Sequence, residues 1–74
     1  METRTPTTEI RLNGEPRLTG GDRVAALLAE LGIASDRRGV AVAVNGEVVP
    51  RSAWTTRPIA PGDDVEIVGA VQGG

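Results

Sequence analysis

The stretch "TEIRLNGEPRLTGGDRVAALLAELG", residues 8–32, carries the instructions for a hairpin followed by a helix. In its first half, Ile10 and Leu12 share one face of a strand, and Glu9, Arg11 and Asn13 share the other. Asn13-Gly14 is the strongest short hairpin signal, because both residues enter positive φ at low cost. Pro16 has no N–H to donate, so the returning strand reads as an edge strand. In the second half, Val24, Leu27, Leu28 and Leu31 recur at the spacing of one helical stripe. Asp22 suits the helix start, as a cap or as a charge favoured by the dipole. Gly32 suits the left-handed position just past the end. Gly20 and Gly21 stand where a phosphate-cradling loop would, but no GK[ST] or G-x-G-x-x-G pattern surrounds them, so they read as turn geometry.

Outward from this segment the pattern repeats. "IASDRRG" is a polar connection, with Asp36, Arg37 and Arg38 in a solvated loop. "VAVAVNGEVVP" (40–50) is a second hairpin, again built on Asn-Gly. "RSAWTTRPIAPGDD" is irregular, with Ser52 a possible cap for a short turn and Pro61-Gly62 a tight turn. "DVEIVGAV" (64–71) is a last strand with Val65 and Ile67 on one face.

The order strand, strand, helix, strand, strand, strand suits an α+β fold with one helix on one face of a sheet. The first and last strands then lie parallel and adjacent, with the helix in a right-handed connection. This is the ubiquitin-like β-grasp arrangement, with a mixed sheet of four to five strands. The expected core is Ile10, Leu12, Val24, Leu27, Leu28, Leu31, Val40, Val42, Val44, Val65 and Ile67. The expected organisation is a polar, disordered leader over 1–7, the β-grasp domain over 8–70, and a flexible Gly-Gly tail over 71–74.

Composition narrows the function. The chain of 74 residues has no cysteine and no histidine, which removes disulfides, thiol chemistry, the commonest metal ligand and the usual base near neutral pH. All eight basic residues are arginine, so no lysine is present as a Schiff-base amine or isopeptide acceptor. The formal charge of −2, with mixed signs, argues against a nucleic-acid footprint. No apolar run approaches a membrane span, and the polar start lacks a secretory signal, so a cytoplasmic setting is expected. Asp63 and Asp64 are adjacent carboxylates at a strand entry, pointing to opposite faces, and read as turn chemistry rather than an acid/base pair.

Two features admit both a structural and a functional reading. Trp54, the only aromatic residue, either covers one end of the core or anchors a partner. Ala41, Ala43, Val68 and Ala70 fall on the sheet face away from the helix. They are either tolerated small residues or an apolar docking surface.

The remaining chemical handle is the α-carboxylate of Gly74. Gly73 and Gly74 form the narrowest backbone available. Five residues after the strand reach at most roughly 16–18 Å, enough to enter another protein's active site.

Three stretches, "LNGEP", "AVNGEVVPRSAW" (43–54) and "PGDDVEIVGAVQGG" (61–74), resemble the ThiS family of sulfur carriers, within the ubiquitin-like β-grasp superfamily. The resemblance spans residues 8–74. It implies that an E1-like adenylyltransferase of the ThiF/MoeB type uses MgATP to adenylate Gly74. A persulfide donor of the cysteine desulfurase or rhodanese type then converts the adenylate to a thiocarboxylate. Thiazole synthase, ThiG, accepts the sulfur. It implies also that Gly73, Gln72 and Val71 thread the partners' channels. The carrier itself has no active site and binds no cofactor or metal. The alternatives are a carrier for another sulfur pathway, as in the small subunit of molybdopterin synthase (MoaD) or carriers for cysteine or secondary-metabolite sulfur, and a non-covalent β-grasp binding module.

Overall fold

The computed structural model describes residues 7–69. The elements are β1 (Thr8–Leu12), β2 (Glu15–Thr19), α1 (Val24–Glu30), β3 (Val40–Val44), β4 (Glu47–Val49), a 3-10 turn (Arg51–Ala53) and β5 (Asp64–Gly69). They form a five-stranded sheet in the order β2-β1-β5-β3-β4. The two hairpins are antiparallel, and β1 and β5 run parallel at the centre. Pro16 lies on the edge strand β2, where its missing N–H costs no rung.

Both hairpins close through the expected two-residue turns. Asn13 and Gly14 have φ of 52° and 87°, and Asn45 and Gly46 have 54° and 81°. These are the mirror-image turns whose twist matches that of paired strands. At the far end of α1, Gly32 has φ 79°. Its N–H reaches the Ala29 carbonyl at 3.0 Å, and the Ile33 N–H reaches Leu28 at 2.9 Å. This pair of bonds closes the helix on its last free carbonyls.

The start of α1 departs from expectation. Arg23, not Asp22, holds the cap position, and no side chain caps the helix. The exposed N–H groups are satisfied by main chain instead. Val24 donates to the Arg57 carbonyl at 3.0 Å and Ala25 to the Trp54 carbonyl at 2.8 Å. Asp22 pairs with Arg23 at 3.3 Å. Ser52 is likewise no cap, because it lies inside the 3-10 turn, which follows Pro50. Gly21 is buried against the first turn of α1. A Cβ there would stand 2.9 Å from the Leu27 nitrogen, so close approach requires glycine.

The core lies between α1 and the inner sheet face. Ile10, Val24, Leu27, Leu28, Val42, Val44 and Val65 are buried as expected. Leu12, Leu31, Val40 and Ile67 are only partly buried and pack around its margin. Val49, Trp54 and Ile59 complete the core from the 49–59 segment. Trp54 is 3% exposed, which settles its structural role. Its Nε1–H donates to the Val49 carbonyl at 3.0 Å. The Arg51 guanidinium lies 4.4 Å from its ring centroid and donates to the carbonyls of Ser35 and Arg37. One stacked arginine thus ties the polar 33–39 connection to the core.

Candidate functional site

The site begins with β5, because β5 leads into the tail. Alternation along the strand turns Val65 and Ile67 inward and leaves Glu66 and Val68 outside. The expected site residues Ala70, Val71, Gln72, Gly73 and Gly74 lie outside the described residues. The root of the tail is described: Gly69 sits opposite Val40 of β3. Beside it is a groove of about 330 Å³, lined by Leu12, Leu31, Ile33, Val40, Ile67 and Gly69, together with Asn13 and Arg37.

The outer sheet face carries the second part of the site. Ala41 is paired with Val68, and Ala43 with Val48. Val68 is 65% exposed and Val48 is 71% exposed. Ala41, Ala43 and Val68 therefore stand together on the face away from the helix, as read from their alternation. Val48 extends the strip and was not singled out. The signal for it was its place one residue past Glu47 in a strand whose Val49 points inward. Glu66, opposite Ala43, adds an acid at the margin of the strip.

Asp63 and Glu30 serve the fold. Asp63 accepts from the Ala60 N–H at 2.8 Å and from Asn45 Nδ2 at 3.0 Å, which secures the Pro61-Gly62 turn. Asp64 stands outside, opposite Arg11 of β1. Glu30, at the end of α1, ties down β2. The Thr19 hydroxyl donates to it at 2.8 Å, Arg17 at 3.1 Å and the Gly20 N–H at 3.2 Å. Foremost the Thr19 hydroxyl, then Arg17, hold the Glu30 carboxyl below its ordinary pKa, against the opposing effect of burial. The Thr19 hydroxyl also accepts from the Gly21 N–H at 3.0 Å. The 19–21 segment is thus committed to the hairpin-to-helix turn. Among the described residues, no cluster of three or more acidic, histidine or cysteine side chains could hold a metal. No helix among them is long and apolar enough to cross a membrane.

A five-stranded mixed sheet, one helix across it, and a central last strand leading to the tail define a ubiquitin-like β-grasp protein. The ThiS family model matches residues 10–74. The sulfur carrier protein ThiS of Thermus thermophilus is 41% identical over 65 residues, covering 88% of this chain and 98% of that protein. The thiazole synthase of Paramagnetospirillum magneticum is 44% identical over 67 residues, which are 89% of this chain but only 20% of that protein. The crystal structure of the thiamine biosynthesis protein ThiS from Geobacter metallireducens superposes with a TM-score of 0.74 at 33% identity. It covers 90% of this chain and 100% of that one. The chain belongs to the ThiS family, the sulfur carriers of thiamine biosynthesis.

Proposed function

We propose that this sulfur carrier works through the α-carboxylate of Gly74, as a protein co-substrate with no active site of its own. One observation carries the reading. The family match runs through Gly73 and Gly74, in a chain that has no cysteine, histidine or lysine to act in their place. A carboxylate is a poor electrophile until activated. An E1-like adenylyltransferase of the ThiF/MoeB type supplies the activation: a carboxylate oxygen attacks the α-phosphorus of MgATP and pyrophosphate leaves. The terminal sulfur of a donor persulfide then displaces AMP from the acyl carbon. Cleavage of the resulting acyl disulfide by a thiol leaves the thiocarboxylate. The carrier binds neither nucleotide nor metal; MgATP belongs to the activating enzyme. Use of ATP and of a persulfide fits the cytoplasm.

Thiazole synthase, ThiG, is the proposed acceptor. The thiazole synthase from P. magneticum matches 89% of this chain within 20% of its own length, which supports a working pair of carrier and synthase. Val71, Gln72 and Gly73 thread the partners' channels. The strip of Ala41, Ala43, Val48 and Val68 docks the body, and Ala70, next in sequence after Gly69, is proposed as a further contact.

The test is intact-protein mass spectrometry after incubation with an activating enzyme, MgATP and a persulfide donor. An oxygen-to-sulfur mass gain on Gly74 is expected, and removal of Gly74 should abolish it without lowering the melting temperature. A full-length chain that yields neither adenylate nor thiocarboxylate with its cognate enzyme sinks the proposal.

A further inference from the structure

The two turn asparagines do more than turn the chain. β1 and β5 pair only briefly, Arg11 opposite Asp64 and Leu12 opposite Val65. One further main-chain rung follows, from the Asn13 N–H to the Val65 carbonyl at 2.8 Å. In a regular parallel ladder, the carbonyl of that same residue would accept the next N–H along the partner strand, here that of Ile67. Asn13 cannot present its carbonyl there, because at φ 52° it has already turned into the hairpin. Its side chain takes over. Oδ1 accepts from the Ile67 N–H at 2.9 Å, and Nδ2 donates to the Ile67 carbonyl at 3.3 Å. The amide acts as one more residue of β1.

Asn45 makes the matching clasp at the other end of the strand. Its Oδ1 accepts from the Asp64 N–H at 2.9 Å, and its Nδ2 donates to Asp63 Oδ1 at 3.0 Å. The two residues share a turn type, a positive φ and an exposed setting. They differ in which end of β5 they hold. Asn45 holds the entry at Asp64. Asn13 holds Ile67, two residues before Gly69, the last described residue of β5. Without Asn13, β5 beyond Val65 would be held on one side only, by β3, with Ile67 opposite Val42 and Gly69 opposite Val40.

The geometry points to Asn13 as a positioning residue for activation and transfer at Gly74. By pairing both main-chain groups of Ile67, it fixes the end of the strand from which the tail continues. This inference rests on the reading of Gly74 as the reacting terminus. The proposed docking strip of Ala41, Ala43, Val48 and Val68 lies on β3, β4 and β5 and does not include Asn13. Its loss therefore acts on the delivery of the carboxylate, which shows in kcat, and not on capture of the carrier, which shows in KM.

The experiment compares Asn13→Gly with Asn45→Gly. Glycine is at ease at positive φ, so both turns persist, and each variant loses one amide clasp on β5. Two readouts are taken on the full chain: hydrogen exchange at the Ile67 amide, and pyrophosphate release by the cognate activating enzyme. For Asn13→Gly, Ile67 exchange should quicken, and kcat should fall about tenfold with KM within about twofold, the scale of one hydrogen bond. Asn45→Gly should lower the melting temperature comparably and leave kcat within about twofold. If Asn13→Gly does not fold, Asn13→Asp serves instead, since it tolerates the same φ and sets a charged acceptor against the Ile67 carbonyl in place of the donor. Equal loss of kcat in both variants overturns the inference. So does an unchanged kcat despite faster Ile67 exchange, or an effect confined to KM. In each of those cases thiocarboxylate still forms and the carrier reading stands. A wild-type chain that is never adenylated removes both.

Discussion

Replacing Trp54 with Phe tests how much the buried indole contributes to the fold. The indole is 3% exposed, and its Nε1–H donates to the buried Val49 carbonyl at 3.0 Å. A phenyl ring has no donor, so that carbonyl loses its indole partner, at a cost of about 1–3 kcal/mol. The smaller ring also leaves a void, which adds roughly 1 kcal/mol. Arg51, 4.4 Å from the ring centroid, keeps an aromatic face but a weaker one. The expected loss is about 2–4 kcal/mol, a large share of the stability of a small domain. At about 4–8 °C per kcal/mol, the melting temperature should fall by roughly 8–32 °C. Far-UV circular dichroism is the assay, because the substitution removes the chain's only fluorophore of its kind. Below the transition, thiocarboxylate formation should stay within about twofold of wild type. A variant that melts close to wild type yet resists activation would refute the reasoning and make Trp54 a partner contact.

Gly21→Ala places a Cβ 2.9 Å from the Leu27 nitrogen and 3.1 Å from Ala26 Cβ, so it should cost about 1–3 kcal/mol in urea unfolding at constant m-value. Glu30 has a depressed folded-state pKa, so its ionised form stabilises fully above the ordinary value of 4.5 and loses that effect as pH falls through the lower folded value. The stability advantage of wild type over Glu30→Gln, followed by thermal melts across the acid range, should therefore shrink below about pH 4.5. An advantage that does not change with pH would contradict the bonds from Thr19 and Arg17. Val68→Glu alters a side chain that is 65% exposed, so stability should move by no more than about 0.5 kcal/mol. A charge among Ala41, Ala43 and Val48 should nonetheless raise KM for the activating enzyme about tenfold, and an unchanged KM would show that the strip does not dock.

The fold was legible where a single residue type answers a single local demand. Asn-Gly declares a tight hairpin through positive φ, and Gly32 declares a helix end. The period of Val24, Leu27, Leu28 and Leu31 declares the buried helical face. The placement of the first and last strands followed from those elements. The 49–59 segment was not legible, because it has no period. Its Trp54 and Ile59 enter the core outside any strand or α-helix, beside Val49 at the end of β4, and its carbonyls at Trp54 and Arg57 cap α1 where Asp22 was the local signal. Main-chain capping by a distant loop leaves no mark on the residue that receives it. The clasps of Asn13 and Asn45 were hidden for the related reason that each bridges far along the chain, to Ile67 and Asp64. Of the site, the alternation of Val65 to Val68 revealed which face Val68 occupies, while Val48 was recognised only once its rung with Ala43 was known.

The position of β5 has a consequence for synthesis. It is the last strand in chain order and the middle strand of the sheet, and the two hairpins meet only through it. A nascent chain that has not yet released residues 64–69 lacks the strand that joins its two hairpins into one sheet. A chain that stops short of β5 therefore cannot bring Val68 opposite Ala41. The order of the strands alone makes assembly of the sheet wait for residues 64–69.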